Sequence, residues 1–191
     1  MPLRNDIRAW GWPARLLHWL SAAVILFLLG LGFYMTQWVT DMYAQFDLVQ
    51  LHKSWGFVAF ALAGARLIWR ATHPAPPPVP GTPRWQHMVS EGAHWALYAL
   101  MIAMPISGWL MASASSLQDS YGIKNMVFGL FALPDPFQPG DRGLEEAFGA
   151  IHFYCAWAMI AILAAHVGAA LQHHFLKRDD VLRRMTWPRR G

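Results

Sequence analysis

The chain has 191 residues, of which 55% are hydrophobic and only 14% charged, and a formal net charge of +4. Soluble domains carry about 25% charged residues, so a deficit this large argues against a water-soluble domain and for a surface that faces lipid. A single cysteine, Cys155, excludes a disulfide framework and any four-cysteine zinc or iron–sulfur site, leaving metal chemistry to the nine histidines.

Four apolar runs follow in chain order, at about residues 14–39, 49–70, 88–113 and 147–175. Each is long enough to cross a hydrocarbon core of ~30 Å at 1.5 Å per residue. The expected fold is therefore all-α and integral to the membrane, a four-transmembrane-helix bundle in which residues 1–191 form one domain without repeats. The first run exceeds the roughly 7–15 residues of a signal-peptide core, and no small-residue cleavage site follows, so it is expected to remain as a helix. Eleven Trp suit the headgroup level, where an amphipathic ring has an apolar and a wet side. Residues 73–83 carry six prolines, which cannot donate backbone hydrogen bonds and favour extended structure, so this stretch reads as a stiff connector outside the bilayer. The longest loop, about 114–146, is broken by Pro134, Pro136 and Pro139, and its residues 125–131 form a candidate interfacial segment.

Charge sets the expected orientation. Arg4, Arg8, Arg15, Arg66, Arg70, Arg84, Lys177, Arg178, Arg183, Arg184, Arg189 and Arg190 fall on one side of this topology, against Lys53, Lys124 and Arg142 on the other. The positive-inside rule places both termini and the proline-rich connector in the cytoplasm and the long loop in the periplasm, with the chain in a bacterial inner membrane. The pI of about 9.6 then requires no nucleic acid: basic residues beside a membrane helix fix topology and touch anionic lipid.

The histidines carry the chemistry. His18 lies near the cytoplasmic start of the first helix, His52 near the periplasmic start of the second, and His152 near the periplasmic start of the fourth. His166 follows His152 by nearly four whole turns, so both project from one face of the fourth helix, roughly 21 Å apart along its axis. One metal cannot span that distance, whereas two haems stacked through a membrane require it. A haem iron takes an axial imidazole on each side of its macrocycle, and facing helices of a bundle can supply them. Pairing by depth assigns His52 with His152 to a periplasmic-side iron and His18 with His166 to a cytoplasmic-side iron. A lone intramembrane histidine is as often a core residue bonded to a carbonyl. Four at paired depths favour ligation, because imidazole in hydrocarbon is costly unless bonded. The chain lacks a Cys-x-x-Cys-His motif, so the haem is expected to be non-covalent haem b.

The remaining histidines have two readings each. His94 approaches the cytoplasmic-side haem or a quinone headgroup, or serves helix packing. His173, seven residues after His166, lines a site below that haem or belongs to the water interface with His174. His87 reads as a surface residue and His73 as part of the connector. Gly30, Gly32, Gly56, Gly64, Gly108 and Gly168 allow close approach of a porphyrin, and plain helix packing explains them equally.

In combination, Arg4-Asn5-Asp6, Leu17-His18-Trp19-Leu20, Leu51-His52 with Gly56, Arg66-Leu67, His94, Pro105-Ile106-Ser107-Gly108, Ile151-His152, Ala165-His166 and His173-His174-Phe175 resemble the bacterial cytochrome b561 family. The resemblance extends over essentially the whole chain. It implies a four-helix bundle with two haem b groups, and its ligand pattern carries over to His18, His52, His152 and His166. It further implies oxidation of superoxide at the periplasmic side and reduction of ubiquinone within the membrane; by their positions, His94 and His173 are the candidates for the quinone vicinity. Superoxide is a small anion that needs a positive potential rather than a shaped pocket, and Lys53, adjacent to His52, is the expected source of it. A rival function is a haem-bearing subunit that anchors a partner dehydrogenase or hydrogenase and passes its electrons to quinone. A non-redox scaffold would leave the paired histidines without a purpose.

Overall fold

A computed structural model of the chain describes residues 3–6, 9–116 and 124–186. Arg8, Arg189 and Arg190 of the topological charges lie outside the described residues. Four long helices dominate: α1 (Trp12–Gln37), α2 (Met42–Thr72), α3 (Arg84–Ala114) and α4 (Arg142–Gln172). A π-helical turn (His173–Lys177) and a short α5 (Val181–Met185) follow. The helices run past the apolar runs because their ends are set by capping rather than by hydropathy. Asp41 accepts from Ala44 N at 2.8 Å and starts α2 well before residue 49, and Asp141 accepts from Leu144 N at 3.1 Å and starts α4 before residue 147. Pro83 precedes α3, where its fixed φ suits a first turn.

α1, α3, and α4 with its π-turn are long and apolar enough to cross a membrane. Among the described residues few apolar side chains are buried, whereas Leu26, Ile68, Phe153 and Trp157 are each more than half exposed. Large side chains left this open along helix faces fit a bilayer and not water. α2 is as long as α3 and α4, yet it carries Asp47, Lys53, Arg66 and Arg70 and does not qualify on composition.

α1 packs mainly on α2, α3 on α4, and α2 on α3, while α1 and α2 make few close backbone approaches to α4. At mid-height Ala63, Met101 and Met159 form a small buried cluster, flanked by Ile25, Leu29, Leu97, Leu100 and Ile102. This apolar plug lies between a terminal end, which carries residues 3–6 and 181–186, and a loop end.

The terminal end is a clasp of polar contacts. Asn5 Nδ2 donates to Pro74 O at 3.0 Å and Gly11 N donates to Asn5 Oδ1 at 2.9 Å. Arg15 Nη1 donates to Thr186 O at 3.0 Å, and Trp19 Nε1 to Met185 O at 3.1 Å. Arg184 Nη1 reaches Pro77 O at 2.6 Å. N-terminal strap, proline-rich connector and tail are thus tied together through backbone carbonyls of the connector and the tail. His73, expected to be only connector, stacks on Trp69 with ring centres 3.7 Å apart.

At the loop end, the segment 125–131 forms most of a short hairpin. Met126–Val127 (β1) and Phe131–Ala132 (β2) pair antiparallel. Phe128 and Gly129 both take positive φ, as a tight hairpin turn requires. Asn125, 1% exposed, anchors the hairpin: its Nδ2 donates to Ser113 Oγ at 3.1 Å and to Asp135 Oδ1 at 2.6 Å, while Lys53 Nζ donates to its Oδ1 at 2.9 Å.

Candidate haem sites

The structure brings the histidines together in two groups. At the loop end, the rings of His52 on α2 and His152 on α4 stand 6.3 Å apart between centres, twisted by 74°. At the terminal end, His18 on α1 and His166 on α4 stand 6.2 Å apart, twisted by 55°. A metal–imidazole bond of ~2.0–2.1 Å plus roughly 1.1 Å from nitrogen to ring centre, taken on both sides, gives about 6 Å for two imidazoles sharing one metal. Both separations therefore fit a pair of axial ligands. The helices that meet through these rings, α4 with α1 and α4 with α2, are among those whose backbones make few close approaches, as a flat group between them would require. Among the described residues no three or more His, Cys, Asp or Glu side chains converge as a metal cluster would need. Two imidazoles face each other at each site, which suits a macrocycle that supplies the other four ligands itself.

The loop-end pair is held by its surroundings. His152 Nδ1 lies 3.0 Å from Met104 O and 3.1 Å from Ser107 Oγ. A carbonyl only accepts, so Nδ1 carries the proton, and in the neutral ring Nε2 keeps its lone pair for a metal. Pro105 lies inside α3 between these two acceptors. Two glycines make space for the rings: a Cβ on Gly108 would lie 3.1 Å from His152 Cε1, and one on Gly32 would lie 3.3 Å from His52 Cε1. Helix packing does not explain the others, since a Cβ on Gly30, Gly56, Gly64 or Gly168 meets nothing within 4 Å. His52 Nδ1 is buried without a hydrogen-bond partner.

The terminal-end pair has more company. His94 on α3 stands 5.3 Å from His166, ring centre to ring centre, so it joins the pair rather than lying apart from it. Trp19 sits edge-on to His18 at 5.2 Å. Arg66 Nη2 comes within 3.4 Å of His18 Nδ1. His173, in the π-turn, hydrogen bonds through Nδ1 to Asp179 Oδ2, while the adjacent His174 buries an Nδ1 with no partner. His87 lies at the surface, 4.0 Å from Glu91.

Lys53 is placed beside the loop-end pair, half-buried, with its ammonium on Asn125 instead of in open solvent. Lys124 and Arg142 are exposed cations at this end, and Lys124 lines a cavity of about 450 Å³ with Phe46, Gln50 and Phe128. Sequence reasoning missed Ser107 and Met104 as the groups that orient His152, and Arg66 as a neighbour of His18. Pro105, inside an apolar helix three residues before a glycine, was the available signal for the first. The second had none, because Arg66 counted equally well as a topological charge.

Comparison with known proteins agrees with this geometry. Residues 9–188 match the family model for prokaryotic cytochrome b561. The chain is 33% identical over 189 residues to cytochrome b561 homolog 2 of Escherichia coli K12, covering 97% of this chain and 95% of that one. It is 32% identical to cytochrome b561 homolog 1 of the same organism, over 74% of this chain and 75% of the relative. It is 29% identical to the probable superoxide oxidase CybB of Yersinia pestis, over 74% and 76% of the two chains. With membrane-crossing helices, paired intramembrane histidines and a family match over nearly its full length, the chain belongs to the prokaryotic cytochrome b561 family of haem b electron-transfer proteins.

Proposed function

We propose that the chain is a four-span cytochrome of the bacterial inner membrane that holds two haem b, accepts electrons from superoxide at the periplasmic side and delivers them to ubiquinone nearer the cytoplasm. The observation that carries this reading is the pair of imidazole pairs, 6.3 and 6.2 Å between centres, at the two ends of one face of α4. Haem b, when bound, supplies a one-electron iron couple at each pair. His52 and His152 would hold the periplasmic-side iron, and His18 and His166 the cytoplasmic-side iron. α2 serves as the fourth span: its charges lie toward its two ends, leaving residues 54–65 uncharged, and Lys53 and Arg66 turn their charged heads onto Asn125 and His18 inside the protein. Both termini then face the cytoplasm, in line with the basic residues of the clasp.

The chain's own groups fit the balance of the reaction. Two superoxide anions yield two O2 and two electrons, and ubiquinone takes up two electrons and two protons to become ubiquinol. Lys53, the residue after His52, supplies an ammonium to draw the anion, held in place by Asn125 and opposed by Asp135. At the other end His173 donates its Nδ1 proton to the Asp179 carboxylate and keeps Nε2 to pass a proton, and His94 lies against His166 beside the same site. Ala63, Met101 and Met159 keep water out between the two levels.

The experiment is to expose purified protein to enzymatically generated superoxide and then add ubiquinone. Reduced haem bands that appear with superoxide and fade with quinone support the proposal. A specific feature favours a second reading: the loop-end hairpin exposes Leu130 at 79% and Phe131 at 54%, a surface for docking a partner dehydrogenase or hydrogenase. Failure of superoxide to reduce the protein would make that electron-transfer anchor the better assignment.

A further inference from the structure

Arg66 and Arg70 lie one turn apart on α2 and both face the aromatic side chains of α3. The Arg66 guanidinium stands 5.1 Å over the Tyr98 ring, and that of Arg70 stands 5.0 Å over Trp95. Arg70 also has a carboxylate, Glu91, at 3.6 Å. Arg66 has no carboxylate partner among the described residues. Its nitrogens reach Met101 Sδ at 3.8 Å and His18 Nδ1 at 3.4 Å. A thioether is a weak acceptor, and a guanidinium carries five donors and a permanent charge. Half-buried in a membrane helix, that charge is costly unless an anion meets it.

His18 is not that partner once it ligates a metal. A histidine that binds iron through one nitrogen normally donates its other N–H to an acceptor, and a guanidinium has no lone pair to receive it. Loading the site therefore sets two donors against each other and frees Arg66 for an acceptor that arrives with the load. Haem b brings one, since its porphyrin edge carries two propionate carboxylates, and arginine binds carboxylate in a two-pronged fork. We propose that Arg66 binds a propionate of the haem held between His18 and His166, so that this haem is oriented with its carboxylate edge toward α2 and α3. The inference rests on the haem assignment above. The other anion that can come to this end of the bundle from outside the chain is a lipid phosphate, and the test separates the two.

Full-length protein produced without haem is loaded with haem b or with its dimethyl ester, as wild type and as Arg66→Met, and affinity is read from the absorbance of each redox component. The cytoplasmic-side component is the one that His166→Ala abolishes. Esterification is expected to weaken wild-type binding at that site roughly tenfold or more, the scale of a charge-assisted hydrogen bond, while free-acid and ester haem bind Arg66→Met alike. An equal ester penalty in both proteins overturns the proposal. So does a wild-type protein indifferent to esterification, the result expected if Arg66 serves lipid phosphate. That wild-type comparison decides the matter even if Arg66→Met does not accumulate. If native wild-type protein contains no haem, or keeps both components in His18→Ala and His166→Ala, the haem assignment fails first and takes this inference with it. That failure is visible before any ester is used.

Discussion

The two ends of α4 hold histidine pairs of nearly equal span in unlike surroundings. At the loop end, His152 is fixed by Met104 and Ser107, Gly32 and Gly108 make room for the rings, and the nearest cation is tied to Asn125. At the terminal end the pair is crowded by a third histidine and an arginine, with a His173–Asp179 couple nearby. One end is built to hold geometry and the other is supplied with groups that carry protons and charge. Passing a single electron needs only the first kind of site. Reducing a quinone, which takes up protons as well, needs the second.

The largest effect that can test this contrast is loss of a whole cofactor. His52→Ala and His152→Ala should each remove the same redox component, and His18→Ala and His166→Ala the other, with haem content by pyridine haemochrome falling from two per chain to one. If His18→Ala and His152→Ala removed the same component, the two-level arrangement would be wrong. Next in size is the division of labour between ends. His173→Gln should slow reoxidation by ubiquinone roughly tenfold to a hundredfold, the range in which positioned proton transfer contributes, and leave reduction by superoxide intact. Lys53→Glu should do the reverse, with a rate that depends on ionic strength as steering of an anion does. Stopped-flow traces in which both variants slow the same phase would dissolve the contrast.

A smaller effect separates the two kinds of glycine. Gly108→Val places atoms where His152 already stands, and overpacking of this kind costs about 1–3 kcal/mol. The loop-end haem should be lost at lower temperature than in wild type. Gly30→Ala meets nothing within 4 Å and should be neutral or stabilising by up to about 1 kcal/mol, from helix propensity alone. Thermal melts followed in the haem absorbance would show the opposite signs.

The long helices, and the histidines that meet through them, were legible because hydropathy and the 3.6-residue repeat report depth and face directly. Depth and face place His166 with His18 and His152 with His52, and the same side chains meet in the structure. Contacts that depend on the register between helices were not legible. Pro105 marks a special position in α3, but the order of residues does not say that Ser107 faces His152 or that Arg66 reaches His18. The hairpin at Phe128-Gly129 was hidden because its apolar residues read as an interfacial segment. The anchoring role of Asn125 lies in contacts with Lys53, Ser113 and Asp135 that only the folded chain brings together. The clasp at the terminal end was equally opaque, since it uses backbone carbonyls and so leaves no pattern of paired side chains.

The smallest predicted effect is the most specific to the loop end. Ser107 Oγ shares the His152 Nδ1 proton with Met104 O, and it also donates to Met104 O at 3.0 Å. Pulling on the Nδ1 proton makes the imidazole a stronger electron donor to a metal at Nε2, which favours the oxidised iron. Ser107→Ala removes one of two acceptors and leaves the carbonyl in place, so the ring keeps its tautomer and the haem stays bound. A hydrogen bond is worth about 1 kcal/mol net. Only the part of it that differs between oxidation states moves the potential, so the loop-end midpoint should rise by less than about 40 mV, one electron being transferred. The terminal-end midpoint should not move, because Met159 and the apolar plug stand between the two sites. A redox titration in which Ser107→Ala lowers the loop-end potential, or shifts both components together, would show that Ser107 does not act through the His152 proton.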